Sequence, residues 1–362
     1  RRSHVDRSRC RGLAHSWQGW GSARTRWLAR THAASVVMEG SVAVVGLGVV
    51  GSRVARQLTS SSMSVVVHDR RSEVQIGAAR SLKAESFNEL SALDPAKTPV
   101  VVLAIPAPQG AMARTLVEAG FHVVCTTDDV DDITALLALD DLARSRSVSV
   151  VVGASASPGL SGLLVSELLT RFDEIDEIHV GVHGTGGPSC ARQHHRALAG
   201  EAPGWHDNEW IRRPGGSGRE LLWFPEPIGG RDCYRAELAD PIVLHTAFPA
   251  ATRISARVSA TRRDRLTARL PMMSPPHAEG GVGGVRVEVR GSLGRERRTE
   301  VAGVAERVGI IAGAVAASAA SMVASWRPGT IVLGQSDLPN REILDDVIRR
   351  GVPVLEYVGS GG

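Results

Sequence analysis

The chain has 362 residues, 43% hydrophobic and 22% charged; this is an ordinary globular balance and more length than one compact core usually holds, so two domains are expected. Its net charge of +4 is unevenly placed: residues 1–37 hold eight Arg and one Asp, which leaves the rest at −3 and excludes a nucleic-acid-binding surface on the folded part. Four widely spaced cysteines without a Cys-x-x-Cys pair argue against a disulfide framework or a zinc ribbon and fit a reducing cytoplasm.

The leading segment carries Trp17, Trp20 and Trp27 but no apolar run that would form a signal-peptide core. It is expected to lie outside the fold, as upstream sequence preceding a start at Met38 or as an Arg-rich transit peptide. From residue 41 the pattern alternates: a strand at 41–45, a helix at 49–58 and a strand at 64–68. A strand at 100–105, a helix at 109–119 ended by Gly120, a strand at 121–126, one helix over 131–145 and a strand at 148–152 follow. Strands apolar on both faces and joined by helices predict a parallel sheet covered on both sides.

After Gly153 the pattern changes. A helix is predicted over 157–172, with Ser157 as its cap and Pro158 in its first turn, then a strand at 177–183. The Gly-, Pro- and Trp-rich stretch 184–230 reads as a long function-bearing loop region, and alternating runs in 241–269 and 285–290 read as antiparallel strands. Between them, 271–284 contains Pro275-Pro276 and four glycines and reads as a mobile loop. Residues 308–325 are long enough to span a membrane, but their Ala, Ser, Gly and Val content predicts a buried helix. That helix and the segment 341–357 are expected to return to the first domain.

Gly46-Leu47-Gly48-Val49-Val50-Gly51 lies after the first strand and opens the first helix. The first glycine permits the turn, the second lets backbone approach a pyrophosphate, and the third allows close helix packing, with free amides at the helix start to bind phosphate. Asp69, at the end of the second strand, is placed to accept from ribose hydroxyls. This defines a Rossmann dinucleotide-binding domain over 38–156. Asp69 would repel a 2′-phosphate while Arg70 and Arg71 would attract one; between NAD and NADP the balance leans to NAD, and no second flavin-type motif is present. Ile105-Pro106 ends a strand at the carboxyl edge, where nicotinamide and substrate meet.

These motifs, with Leu103–Pro106, Gly153-Ala154-Ser155-Ala156-Ser157-Pro158-Gly159, the late strand and Ala-rich helix, and Pro328-Gly329, resemble the saccharopine dehydrogenase-like group, which includes saccharopine reductase and carboxynorspermidine dehydrogenase. The resemblance covers most of 41–180 and 285–335. It implies a doubly wound Rossmann sheet with an inserted mixed α+β substrate and dimerisation domain, here 157–302, and a return segment, 303–358. It further implies a homodimer, Ser157, Pro158 and Gly159 beside the nicotinamide, and hydride transfer at a carbon–nitrogen bond of an amino-acid-like substrate. The stretch 184–234 departs from the group's substrate loops.

That departing stretch gathers chemistry. Arg192, His194 and His195 follow a glycine turn and offer an anion clamp and a general acid. Arg219 and Glu220 form a charge pair placed to hold a substrate carboxylate, and Tyr234 offers a phenolic proton. Cys190 and His194 have metal-ligand spacing, with His183 and Cys233 as possible partners, but two ligands do not make a site and no metal is expected. Trp205, Trp210, Trp223 and Phe224 are expected to pack a second core. The sequence thus points to an NAD(P)-dependent oxidoreductase acting on a small molecule, with neither nucleic acid nor membrane as partner. A dinucleotide-binding scaffold or redox sensor, which needs the glycines and Asp69 but not the histidines, is the alternative.

Overall fold

The computed structural model describes residues 24–27, 40–272 and 275–358. Seven parallel strands form its first sheet, in the order Gly329–Ile331, Ser149–Val151, His122–Cys125, Val100–Leu103, Ser41–Val45, Ser64–His68, Glu85–Ser86. The chain begins in the middle, winds to one edge and then returns to the other side, so the winding reverses between Ser41–Val45 and Val100–Leu103. Val42, Val44 and all of Val100–Leu103 are fully buried, because helices cover both faces. Gly110–Glu118 and Val130–Leu137 lie on one side, and Val49–Ser60, Leu160–Leu169 and Val308–Met322 on the other.

The single helix expected over 131–145 is two, Val130–Leu137 and Asp140–Ser145. The break lets Asp140 Oδ1 accept from the Thr330 amide at 2.7 Å, which fixes the edge strand Gly329–Ile331. A helix at Ser72–Leu82 and the short strand Glu85–Ser86 occupy a stretch in which no periodic pattern stands out.

A second, mixed sheet of ten strands contains Glu174–His183, flanked by Val282–Leu293 on one side and Arg253–Ser259 on the other. Residues 184–230 are not a loop region: they form a helix, Pro188–Ala197, and the strands Glu201–His206, Glu209–Pro214 and Glu220–Phe224. Asp207 and Asn208, with φ of 50° and 65°, make the two-residue turn that joins the first two of these strands. The stretch 241–269 also differs from its expectation of antiparallel strands. It holds the helices Asp240–Ala247 and Arg262–Thr267, and the strand between them runs parallel to Glu174–His183 while pairing antiparallel elsewhere. In the 271–284 segment, Glu279 pairs with Arg53 at 2.9 Å and Val282 already begins a strand.

The return segment is divided between the sheets. Val308–Met322 crosses Val49–Ser60 closely: a Cβ on Gly309 would lie 2.7 Å from Val49 Cγ1, and one on Gly313 2.8 Å from Arg53 Cβ. Among the described residues, Val308–Ser325 is the one helical stretch long and apolar enough to cross a membrane, and 78% of it is buried inside the protein. The last strand, Val354–Val358, joins the second sheet rather than the first and pairs with Arg24–Trp27, four residues of the segment expected to lie outside the fold. Trp17, Trp20 and Met38 lie outside the described residues.

Candidate active site

A cleft of about 810 Å³ opens along the carboxyl ends of the first sheet's strands, with the start of helix Pro188–Ala197 as its far wall. Its floor is the glycine turn. Gly46 has φ +90°, and a Cβ on Gly51 would sit 1.7 Å from the Gly46 carbonyl oxygen, so helix and turn touch through bare backbone. A Cβ on Gly48, by contrast, would meet nothing within 4 Å. That vacant side faces the cleft, beside the helix start at Val49. Val49 and Val50 line the floor, whereas Leu47 is buried behind it.

Asp69 and Arg70 line one end. The Asp69 carboxylate accepts from the Leu47 amide at 2.8 Å and from Arg71 through its amide, Nε and Nη2, each at 2.9 Å. The Arg71 side chain, ahead of the backbone amides, holds Asp69 well below the ordinary carboxylate range despite its burial. Asp69 therefore ties the second strand to the glycine turn while lining the cleft.

At the other end, Ile105 and Pro106 line the cleft with Asp128 and Ser155. Ser157, Pro158 and Gly159 do not. The helix expected from Ser157 begins at Leu160, and the Ser157 hydroxyl donates instead to Asp240 Oδ2 at 2.6 Å. Ser161 donates to the other oxygen of that carboxylate, also at 2.6 Å. Burial pushes Asp240 up against the opposing effect of the two hydroxyls.

The helix Pro188–Ala197 separates the residues that sequence grouped together. Arg192 and Cys190 line the cleft. His194 backs them, its Nε2 lying 3.3 Å from Asp128 Oδ2 and 3.7 Å from Cys190 Sγ, while its Nδ1 is buried without a partner. Burial alone would lower this imidazole; Cys190, then Asp128, act against it and hold it well above its ordinary value. His195 points away, its Nε2 lying 3.1 Å from the carbonyls of Thr267 and Leu270.

Tyr234, Arg219 and Glu220 do not reach the cleft. Tyr234 is buried in the second sheet under the Arg265 guanidinium, Arg219 pairs with Asp232, and Glu220 pairs with Arg257. His183 bonds Ser259, and Cys233 is buried with its thiol pushed up to about 12, so neither joins Cys190. Trp205 and Trp210 pack on His245, Phe224 lies in a small second-sheet core, and Trp223 is half exposed. Sequence reasoning missed Asp128, since nothing local distinguishes it from Asp129, Asp131 and Asp132.

A doubly wound sheet, a glycine turn at its reversal point and an acidic residue closing the second strand define a dinucleotide-binding Rossmann fold. Residues 41–154 match the pattern of an oxidoreductase family with an NAD-binding Rossmann fold. Among solved structures, saccharopine dehydrogenase (L-Glu forming) of Saccharomyces cerevisiae is similar with a TM-score of 0.62 at 13% identity, over 88% of this chain and 99% of that one. The fold is thus shared across both domains. A DAP dehydrogenase of C. glutamicum in complex with DAP is similar with a TM-score of 0.46 at 15% identity, over 87% and 99%. An engineered D-amino acid dehydrogenase bound to NADP+ has a TM-score of 0.46 at 16% identity, over 87% and 100%. No curated protein matches the chain by sequence.

Proposed function

We propose that the protein is an NAD(P)-dependent dehydrogenase that exchanges hydride at a C–N or C–O bond of an amino-acid-like small molecule. One observation carries this reading: a single cleft has the glycine turn and Asp69 toward one end and a polar cluster of Asp128, Cys190 and His194 at the other. The strands that precede Asp69 and Asp128, Ser64–His68 and His122–Cys125, are three places apart in the sheet, about 14 Å at normal strand spacing. A dinucleotide with its ribose at Asp69 and pyrophosphate over Gly48 then lays its nicotinamide along Ile105, Pro106 and Asp128. Bound there, the dinucleotide supplies or accepts the hydride. The polar cluster meets the reacting bond, and Arg192 on the same wall suits a substrate carboxylate.

NAD is the favoured cofactor, because the Asp69 charge faces the ribose and Arg71 is committed to it. Within this reading the chain works in the cytoplasm as a homodimer. The test is fluorescence titration with NADH and NADPH, then turnover of amino and hydroxy acids. NADH should bind more tightly, and Asp69→Ala should move the preference toward NADPH by about tenfold or more, the worth of one charge contact. Failure of both cofactors to bind the folded protein would remove the dehydrogenase reading. Binding without turnover of any substrate would favour the scaffold or sensor.

A further inference from the structure

We infer that Asp128, Cys190 and His194 form a zinc-type metal site whose open position faces the cleft. Cys190 and His194 stand four residues apart on one helix and so share a face. Asp128 comes from the other domain, on the loop that follows the strand His122–Cys125. Three different donors, a thiol, an imidazole and a carboxylate, thus converge from two domains on one point.

Their geometry distinguishes a metal site from a proton-relay triad. In a relay, nucleophile and orienting acid occupy opposite ring nitrogens of the histidine. Here Cys190 Sγ and Asp128 Oδ2 both face Nε2, and Nδ1, where an orienting acid belongs, is buried without a partner. The donor atoms lie 3.3, 3.7 and 3.9 Å apart. A tetrahedral ion at zinc bond lengths of about 2.0 Å to nitrogen and oxygen and about 2.3 Å to sulfur spans edges of about 3.3–3.6 Å between its ligands. An ion enters this triangle with shifts of a few tenths of an ångström. No other group of three or more His, Cys, Asp or Glu donors among the described residues is so arranged.

Thiolate, imidazole and carboxylate together select zinc over magnesium or calcium. Three protein ligands leave a fourth position, as in catalytic rather than structural zinc sites. Asp128 and Cys190 line the cleft, so that position opens where a substrate oxygen or nitrogen would lie. The metal site stands on the three donors; its use in polarising the reacting group rests on the dehydrogenase reading.

The test uses the full chain stripped by chelator and titrated with Co2+ and Zn2+. Co2+ should produce tetrahedral d–d bands and a thiolate charge-transfer band at about one ion per chain, and Zn2+ should displace it and raise the melting temperature. Cys190→Ser should lose the charge-transfer band, and His194→Gln and Asp128→Asn should each weaken binding by at least tenfold, with far-UV circular dichroism and a cooperative thermal melt as the check that every variant is folded. No stoichiometric Co2+ spectrum in a folded wild-type chain would overturn the inference, as would a spectrum unchanged in Cys190→Ser. A Co2+ spectrum without NADH binding would leave the metal site standing and remove the dehydrogenase.

Discussion

Gly48 and Gly51 belong to one motif but should fail in opposite ways when a side chain is added. A Cβ on Gly51 would lie 1.7 Å from the Gly46 carbonyl oxygen. A carbon–oxygen contact closes at about 3.3 Å, so the helix must move by about 1.6 Å from the turn it packs on. Overpacking on that scale costs about 3 kcal/mol or more, and at an unfolding entropy of about 2.1 cal/mol/K per residue over the 362 residues Gly51→Ala should melt about 4 °C or more below wild type. At Gly48 the Cβ meets nothing within 4 Å and φ is −70°, which any residue adopts. As the residue capping helix Val49–Ser60, aspartate there is at least as good as glycine, so Gly48→Asp should melt within about 2 °C of wild type. Its carboxylate, however, would stand where the pyrophosphate belongs. Two charges about 4 Å apart at a protein surface repel by about 4 kcal/mol, which predicts a loss of dinucleotide affinity of about 100-fold or more after screening. Thermal melts and NADH fluorescence titrations on the two variants separate the effects. A Gly48→Asp protein that binds NADH like wild type would refute the placement of the phosphates. A Gly51→Ala protein as stable as wild type would refute the packing argument.

Two further outcomes follow from neighbouring residues. His195→Ala removes a contact with the carbonyls of Thr267 and Leu270, so it should cost about 1 kcal/mol of stability and leave turnover unchanged; a large fall in kcat would return His195 to the active site. Asp240 has its folded value raised above the unfolded one, so its contribution is full below the unfolded carboxylate range and declines as pH rises through the folded value. Melting curves of Asp240→Asn between pH 4 and 8 should therefore fall less with rising pH than those of wild type, and parallel curves would contradict the assignment.

The first domain was legible because its strands are buried on both faces. Val42–Val45 and Val100–Leu103 are continuous apolar runs, and a glycine turn between strand and helix has few other uses. The helix Ser72–Leu82 was not legible: Gly77 interrupts its apolar side, and only the polar Gln75 is buried. In the second domain, Pro203, Gly204 and Pro214 disguised two strands as loop, although Asp207-Asn208 is a short-hairpin signal. Thr261 and Asp264 form a capping box that marks the start of a helix within a stretch expected to be strands. Within the candidate site, Gly48, Asp69 and Arg192 could be located from sequence because each is a chemical type in a recognisable context. Asp128 could not, since its partner on helix Pro188–Ala197 lies 66 residues away and only the meeting of the two domains selects it from its acidic neighbours.

The edge strand Gly329–Ile331 pairs with Ser149–Val151, and the entire second sheet except its terminal strands lies between them in the chain. A ribosome must therefore release most of the chain before the nucleotide-binding sheet can close. Until then Ser149–Val151 offers an unpaired edge, and the face of Val49–Ser60 that receives Gly309 and Gly313 stays uncovered. The cofactor domain is thus first in sequence but is completed late in synthesis. A nascent or truncated chain ending near residue 156 would present Ser149–Val151 as an open, apolar sheet edge that only Gly329–Ile331 closes.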